Sequence, residues 1–272
     1  MIEFVPKAVK LGFNSLICLT ESTAFANFPP MQAIEGKVTI VTGASKGIGR
    51  AIAVLFAQNK AKVVLAARNK KELEELAGQI NKQGGEAFVV PADMSKEADI
   101  KNLLSRTVEQ YGTVDIVINN AGLGIWAPVA EMKTEDFDTT FGVNVRGVFL
   151  MCREAIPHFV KKGGGQIINI ASVAAKSANA NLAAYCASKA ALVMFSESLA
   201  LEVRNRNIKV TCVSPGSVAS EFSGEFPKER PTNRPGLVKL TCEEVAEACL
   251  MVATQNPNAW TSELILRPLR TG

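Results

Sequence analysis

The sequence predicts an α/β domain built on a doubly wound parallel sheet of about seven strands, with helices on both faces. Apolar runs that lack the alternation of a half-exposed strand recur along the chain, which is typical of parallel strands buried on both faces. Helical stretches separate these runs at the spacing of right-handed βαβ units. The runs are 38–41, 62–66, 87–90, 114–118, 166–170, 208–213 and a final 263–266, and the helical stretches are 48–59, 70–83, 98–111, 134–162, 183–205 and 243–254.

Composition limits the number of domains and the classes of function. The 272 residues are 47% hydrophobic, enough for one sizeable core, and no linker divides the chain. The net charge is only +4 with both signs interleaved, so the basic surface of a nucleic-acid-binding protein is not expected. A single histidine and six cysteines without a C-x-x-C pair predict no metal site and favour a reducing, cytoplasmic compartment.

Residues 1–30 differ from the rest and predict an N-terminal extension, with 31–272 as the folded domain. Lys7 and Lys10 precede a short apolar run at 11–20. This run is interrupted by polar residues and is too short to span a bilayer, so no membrane partner is expected. Export or organelle targeting by the extension stays an alternative to a cytoplasmic location.

The stretch 217–240 interrupts the alternation of strands and helices. It holds three prolines and mixed charge. An irregular stretch of this length inside a compact domain is usually functional. We therefore expect a variable loop at the substrate site.

A glycine-rich turn follows the first run directly and leads into a helix. Its pattern is G-x-x-x-G-x-G, a modest signal that gains weight from the strand before it and the helix after it. Glycine permits positive φ and close approach of a diphosphate, and the helix N-terminus supplies free N–H groups. The turn predicts a Rossmann-type dinucleotide site formed by Gly43, Ser45, Lys46, Gly47, Ile48 and Gly49.

The end of the second run predicts which dinucleotide binds. An NAD enzyme carries an acidic residue here for the ribose hydroxyls. This chain has Ala67 and Arg68 instead. Arg68 can bind a 2′-phosphate through two nitrogens, with help from Lys46, so NADP(H) is favoured. The alternative is that both cations are solvated surface residues.

Tyr185 and Lys189 are four residues apart and therefore share one face of a helix. Tyrosine, with a reference pKa of about 10, is a weak acid or base at neutral pH, and a neighbouring ammonium favours the phenolate. Ser172 precedes Tyr185 by thirteen residues and directly follows a buried run. Together the three predict a site where Tyr185 exchanges a proton with a substrate oxygen that Ser172 hydrogen-bonds.

Three further motifs complete the pattern. N-N-A-G at 119–122 ends the fourth run, F-G-V-N-V at 141–145 lies in the following helix, and Pro215-Gly216 closes the sixth run. In this order and spacing the sequence resembles the short-chain dehydrogenase/reductase family over about residues 36–268.

The resemblance implies an oxidoreductase with a catalytic tetrad. Tyr185 would be the general acid/base, Lys189 would lower its pKa and hold the nicotinamide ribose, and Ser172 would polarise the carbonyl. Asn144 would hold a water that links Lys189 to solvent, and Asp93 would bind the adenine amino group. The further cofactor contacts it implies are Asn120, Ala121, Gly122, Tyr185, Lys189, Pro215, Gly216 and Val218.

The substrate stays open between alternatives. We expect a small-molecule carbonyl and its secondary alcohol; a 3-oxoacyl-thioester reductase is the alternative, and a non-catalytic NADP(H) sensor is disfavoured because Tyr185 and Lys189 are both present. The ending 261–268 lacks the paired glycines common in acyl-carrier-protein reductases, and Ser220 stands where many members have threonine. The family also implies a homo-oligomer, a tetramer or a dimer, in which subunits pair through the helical stretches 134–162 and 183–205.

Overall fold

A computed structural model describes residues 33–222 and 238–269. The predicted extension 1–30 and most of the predicted substrate loop 217–240 lie outside the described residues. Across the described ranges no helix is both long enough and apolar enough to cross a membrane.

The predicted doubly wound sheet is confirmed. Seven strands pair in the order β3-β2-β1-β4-β5-β6-β7, and every pairing is parallel. The predicted run 114–118 forms a strand two residues later, from 116. The strands are β1 (Val38–Thr42), β2 (Lys62–Ala66), β3 (Glu86–Val89), β4 (Ile116–Asn119), β5 (Gly165–Ile170), β6 (Ile208–Pro215) and β7 (Glu263–Leu266).

Helices cover both faces of the sheet and give two apolar cores. One core packs α1, α2 and α7 against the sheet, and the other packs α3, α5 and α6. The central strands are buried on both faces, which explains their unbroken apolar runs. The helices are α1 (Gly47–Gln58), α2 (Lys70–Lys82), α3 (Glu97–Tyr111), α4 (Thr134–Phe141), α5 (Val148–Lys162), α6 (Ala183–Val203) and α7 (Cys242–Ala253).

The position of β1 fixes where a ligand can bind. Its neighbours are β2 on one side and β4 on the other, so the order of the strands reverses between them. In open α/β sheets such a reversal leaves a crevice at the carboxyl ends of the strands. The glycine turn and the ends of β4, β5 and β6 all face this crevice.

The single helix predicted over 134–162 is wrong in its middle. A π-helical segment, Gly142–Gly147, separates α4 from α5. A Cβ added at Gly147 would lie 2.3 Å from the Met94 carbonyl oxygen, so only glycine lets this segment pass so close to the loop after β3. The extra residue per turn rotates Asn144 into the interior, where it is 1% exposed.

Candidate active site

The glycine turn is built for close approach of the backbone. Gly43 and Gly47 have φ of +65° and +58°, in the left-handed region that favours glycine. A Cβ at Gly49 would lie 2.3 Å from the Gly43 carbonyl oxygen, so this position must also lack a side chain. No side chain caps the N-terminus of α1, which leaves its first N–H groups directed toward the cleft.

Hydrogen bonds from the end of β4 hold the turn in place. Asn120 donates from Nδ2 to the carbonyl oxygens of Thr42 at 3.0 Å and Gly43 at 3.3 Å. In return Thr42 Oγ1 accepts from the main-chain N–H groups of Asn120 and Ala121, both at 3.0 Å. Asn120 thus connects the end of β4 to the end of β1 and to the glycine turn.

The side-chain amide of Asn144 makes three hydrogen bonds inside the protein. Its Oδ1 accepts from the Leu123 N–H at 2.9 Å, and its Nδ2 donates to the Leu123 carbonyl at 2.8 Å and to Ser188 Oγ at 2.9 Å. Ser188 in turn donates to the Tyr185 carbonyl oxygen at 2.7 Å. One chain of hydrogen bonds therefore connects the π-helical segment, the loop after β4 and the helix turn that carries Tyr185.

Lys189 is a buried ammonium next to Tyr185. Its Nζ donates to the Ile170 carbonyl oxygen at 2.9 Å and lies 5.8 Å from the centre of the Tyr185 ring. Burial lowers the pKa of Lys189 to about 8, and the neighbouring Cys212 opposes this only in part. The side chain is 4% exposed, so its charge acts on the site with little screening by water.

Gly122 makes room for both groups. A Cβ at this position would lie 3.2 Å from Asn144 Oδ1 and 3.3 Å from Lys189 Nζ. Any side chain here would press on the two polar groups at once. The glycine of the 119–122 motif is therefore explained by packing around Asn144 and Lys189.

Ser172 and Tyr185 line the same cleft from opposite elements. Ser172 directly caps a 3-10 turn, Val173–Ala175, and its Oγ accepts from the Ala174 N–H at 3.1 Å. This hydrogen bond uses a lone pair of Oγ and not its proton, so the hydroxyl can still donate. On the other side the ring of Phe222 packs against the Tyr185 ring, with centroids 5.8 Å apart.

Charged residues gather at the opposite end of the cleft. Asp93 Oδ1 accepts from the Ser95 N–H at 3.0 Å and from Ser95 Oγ at 2.8 Å. Burial tends to raise the pKa of Asp93, but the hydrogen bonds from Ser95 and the charges of Arg68 and Lys96 outweigh it and hold that pKa below its usual value. Arg68 is exposed at the end of β2.

The structure brings the predicted site residues to one cleft of about 1550 Å³. Asn144 and Gly49 do not line it; both lie directly behind its wall and shape it through the contacts given above. The predicted residues that line the cleft are Gly43, Ser45, Lys46, Gly47, Ile48, Arg68, Asp93, Asn120, Ala121, Gly122, Ser172, Tyr185, Lys189, Pro215, Gly216 and Val218.

Sequence reasoning missed several supporting residues. Ser188 and Thr42 are buried and carry the hydrogen bonds that orient Asn144 and Asn120. Asp99 accepts from the Asp93 N–H at 2.9 Å and so supports the loop after β3. Only Ser188 had a signal in the sequence, its place between Tyr185 and Lys189 on the same helix. In the ranges that the structure describes, no group of acidic, histidine or cysteine side chains is suited to a metal ion.

The residues present fit a nicotinamide dinucleotide. The uncapped start of α1 and the left-handed backbone of Gly43 and Gly47 suit a diphosphate. Arg68 and Lys46 offer positive charge at the far end of the cleft, and Tyr185 and Lys189 lie at the other. A model of the short chain dehydrogenase family matches residues 37–231, most of the chain.

The chain belongs to the short-chain dehydrogenase family. An uncharacterized oxidoreductase of Staphylococcus aureus strain MRSA252 is 33% identical over 239 residues, which are 88% of this chain and 100% of the relative. A metagenomic short-chain oxidoreductase in complex with NADP superposes with a TM-score of 0.76 at 32% identity, over 88% of this chain and 100% of that one.

A second similar solved structure carries a different cofactor. The 3-ketoacyl-(acyl-carrier-protein) reductase from Brucella melitensis complexed with NADH superposes with a TM-score of 0.78 at 35% identity, over 86% of this chain and 97% of that one. The predicted family and the oxidoreductase class are thus confirmed. The two structures differ in the cofactor that they hold, so the choice of cofactor has to be argued from the residues of this chain.

Proposed function

We propose that this protein is an NADP(H)-dependent oxidoreductase that interconverts a carbonyl and a secondary alcohol on a small organic molecule. The observation that carries the proposal is the pairing of Tyr185 with the buried Lys189, in a cleft where the Ser172 hydroxyl still has a proton to donate. The reduced cofactor supplies the hydride. The residues of this chain supply the proton and hold the oxygen.

Tyr185 is the proton donor in the direction of reduction. As negative charge develops on the carbonyl oxygen, hydrogen bonds from Ser172 Oγ and from the Tyr185 hydroxyl stabilise it. Tyr185 then transfers its proton to that oxygen. The ammonium of Lys189 favours the resulting phenolate, because a nearby positive charge stabilises the charged form of the tyrosine.

Asn144 contributes to the reaction by holding neighbouring elements of the site in position. Its side-chain amide already makes three hydrogen bonds inside the protein, so it orients the loop after β4 and the turn of α6 that bears Tyr185. The water linking Lys189 to solvent, which the family resemblance implies for Asn144, stays a prediction.

The preference for NADP(H) rests on Arg68. It lies at the end of β2 on the wall of the cleft, and its neighbour Ala67 carries no charge to repel a phosphate. Lys46, exposed in the glycine turn, adds a second positive charge. The NADP complex of the metagenomic oxidoreductase supports the same choice.

The wall near Tyr185 favours an uncharged substrate. Apart from Lys189 beside the ring, the described residues there are apolar or neutral. A neutral ketone with an apolar arm suits this surface better than a free acid. The residues that line this end are Leu123, Ile125, Thr139, Val173, Ala174, Asn179, Leu182 and Phe222.

A panel of carbonyl compounds tests the function. Loss of NADPH absorbance is followed with ketones, 3-oxo acids, 3-oxo thioesters, quinones and pterins. We expect turnover of neutral ketones above that of the acids. Preference for acetoacetyl thioesters would instead assign the alternative, a 3-oxoacyl-thioester reductase, a class to which the Brucella melitensis relative belongs by its name.

We also propose a homo-oligomer, formed through α5 and α6. Phe149 on α5 and Met194 and Leu201 on α6 are large apolar side chains exposed by 44%, 63% and 56%. Large apolar side chains exposed on neighbouring helices are candidates for such a contact. Light scattering should give a dimer or tetramer for the wild type and a smaller species for Met194→Glu with Leu201→Glu; a monomeric wild type would contradict the proposal.

A further inference from the structure

A single ion pair joins the turn after β5 to the edge strand of the sheet. Lys176 follows the 3-10 turn that Ser172 caps, and its Nζ lies 2.5 Å from Glu263 Oε2. Glu263 is the first residue of β7 and pairs in register with Cys212 of β6. The two partners are 87 positions apart in the chain, so the contact is purely tertiary.

The turn behaves as one compact unit between Ser172 and Lys176. Besides the bond to Ser172 Oγ, the main-chain N–H groups of Ala175, Lys176 and Ser177 donate to the carbonyl oxygens of Ser172 and Val173 at 2.9 to 3.0 Å. The near end is fixed to β6, since the Ala171 N–H donates to the Val213 carbonyl oxygen at 2.7 Å. The far end is held by the Lys176 side chain.

The pair differs from an ordinary surface ion pair. Exposed pairs contribute little because water replaces either partner. The Glu263 side chain is only 26% exposed, and within the described residues its Oε1 is buried with no hydrogen-bond partner. Among the described residues Lys176 is the one cation paired with Glu263, so its loss would leave this partly buried carboxylate without a compensating charge.

We propose that Lys176 and Glu263 are positioning residues, whose ion pair clamps the 172–177 turn to β7 and thereby holds the Ser172 hydroxyl and the adjoining wall against the substrate carbonyl. The clamp also ties this wall to the strand behind Lys189, because Cys212, the register partner of Glu263, lies beside Lys189. The inference rests on the proposed carbonyl chemistry. It concerns the substrate end of the cleft and leaves cofactor binding untouched.

The test uses Lys176→Met, Glu263→Gln and the double variant in the full chain. We expect each single variant to lower kcat/KM for the carbonyl by about tenfold, since small misplacements of a contact group are costly. The double variant should be no worse than the worse single, because both remove the same contact. The Kd for NADPH, from fluorescence titration, should stay constant.

Hydrogen exchange separates the clamp from the activity. Amides of Ala174 to Ser177 should exchange at least about fivefold faster in both single variants. The matched control is the exposed pair Arg106–Glu109 on α3, where Arg106→Met and Glu109→Gln should change neither exchange nor turnover.

The outcomes are distinguishable. If the wild type reduces no carbonyl while exchange still rises in the variants, the proposed function is wrong and the clamp stands. Unchanged exchange in Lys176→Met overturns the clamp, and so does faster exchange with unchanged kcat/KM in an active enzyme. Should Glu263→Gln fail to fold, Lys176→Met carries the test, because the Lys176 side chain is 48% exposed and its loss removes no core packing.

Discussion

The two ends of the cleft differ in how far their key side chains are buried. At the glycine-turn end, Lys46 and Arg68 are exposed to solvent. At the Tyr185 end, the side chains of Asn144, Ser188 and Lys189 lie almost wholly inside the protein. The buried end is connected by hydrogen bonds from three separate elements. Substitutions at the first end should change selectivity, and those at the second should change chemistry and stability together.

The largest effect is expected from Tyr185→Phe. Removal of the proton donor should lower kcat by ~10²–10⁴-fold, while the Kd for NADPH changes little because the ring and its packing against Phe222 remain. Steady-state kinetics and a fluorescence titration measure the two quantities. Near-normal turnover in this variant would remove Tyr185 from the chemistry altogether.

Asn144→Leu tests the buried end as a structural unit. The change keeps the size of the side chain but leaves the Leu123 N–H and carbonyl oxygen without these partners and removes the donor to Ser188 Oγ, which keeps its bond to the Tyr185 carbonyl oxygen. Because unsatisfied buried groups cost ~1–3 kcal/mol each, the free energy of unfolding should fall by about 2–4 kcal/mol in urea titrations. A free energy of unfolding equal to that of the wild type would mean that the hydrogen bonds of Asn144 do not stabilise the fold.

Arg68→Ala tests the exposed end. Loss of a charge-assisted contact to the 2′-phosphate should reduce the NADPH-over-NADH ratio of kcat/KM by about ten- to a hundredfold, with unchanged stability. Lys46→Ala should cost less, since an ammonium offers a single point charge. Ala67→Asp with Arg68→Ala should shift preference toward NADH. If the ratio is the same in Arg68→Ala as in the wild type, Arg68 is merely a solvated residue.

The smallest expected effect is a change in NADPH affinity with pH, caused by the charge of Lys189. The pKa of Lys189 is about 8 in the folded protein because burial disfavours its charge, so the ammonium is lost as pH rises through 8. An anionic cofactor beside it favours the charged form, and binding above pH 8 should then take up a proton. The Kd for NADPH should weaken by about three- to tenfold from pH 7 to 9.

Lys189→Met is the control for this pH dependence. The variant should show a flat Kd over the same range, apart from groups that titrate elsewhere. An equally steep dependence in Lys189→Met would assign the titration to another residue. Folding provides a second check: between pH 8 and 10.5 the unfolded chain binds more protons than the folded one, so the contribution of Lys189 to stability should increase with pH.

The fold and the cleft were predictable from the sequence because their signals are local. Unbroken apolar runs mark the strands, and the glycine turn, the 119–122 motif and the Tyr185–Lys189 spacing each lie within a few residues. The supports of the site were not predictable. Ser188 meets Asn144 across 44 positions, and Lys176 meets Glu263 across 87, so these contacts exist only once the chain has folded.

The π-helical segment shows the same limit. Nothing in the apolar periodicity of 134–162 marks it. One extra residue in a turn shifts the pattern by a single position, which is less than the uncertainty of about 2–4 residues in a predicted element boundary. The segment includes a close passage, Gly147 against the Met94 carbonyl oxygen, between residues far apart in sequence.

Gly122 bears on how this protein could be redesigned. A methyl group there would lie 3.2 Å from Asn144 Oδ1 and 3.3 Å from Lys189 Nζ, so any side chain at this position requires both groups to shift. Variation at Ile125, Val173 and Asn179 reshapes the same wall without touching either group. An engineer seeking a new ketone should therefore diversify those three positions and leave the glycine of the loop after β4 alone.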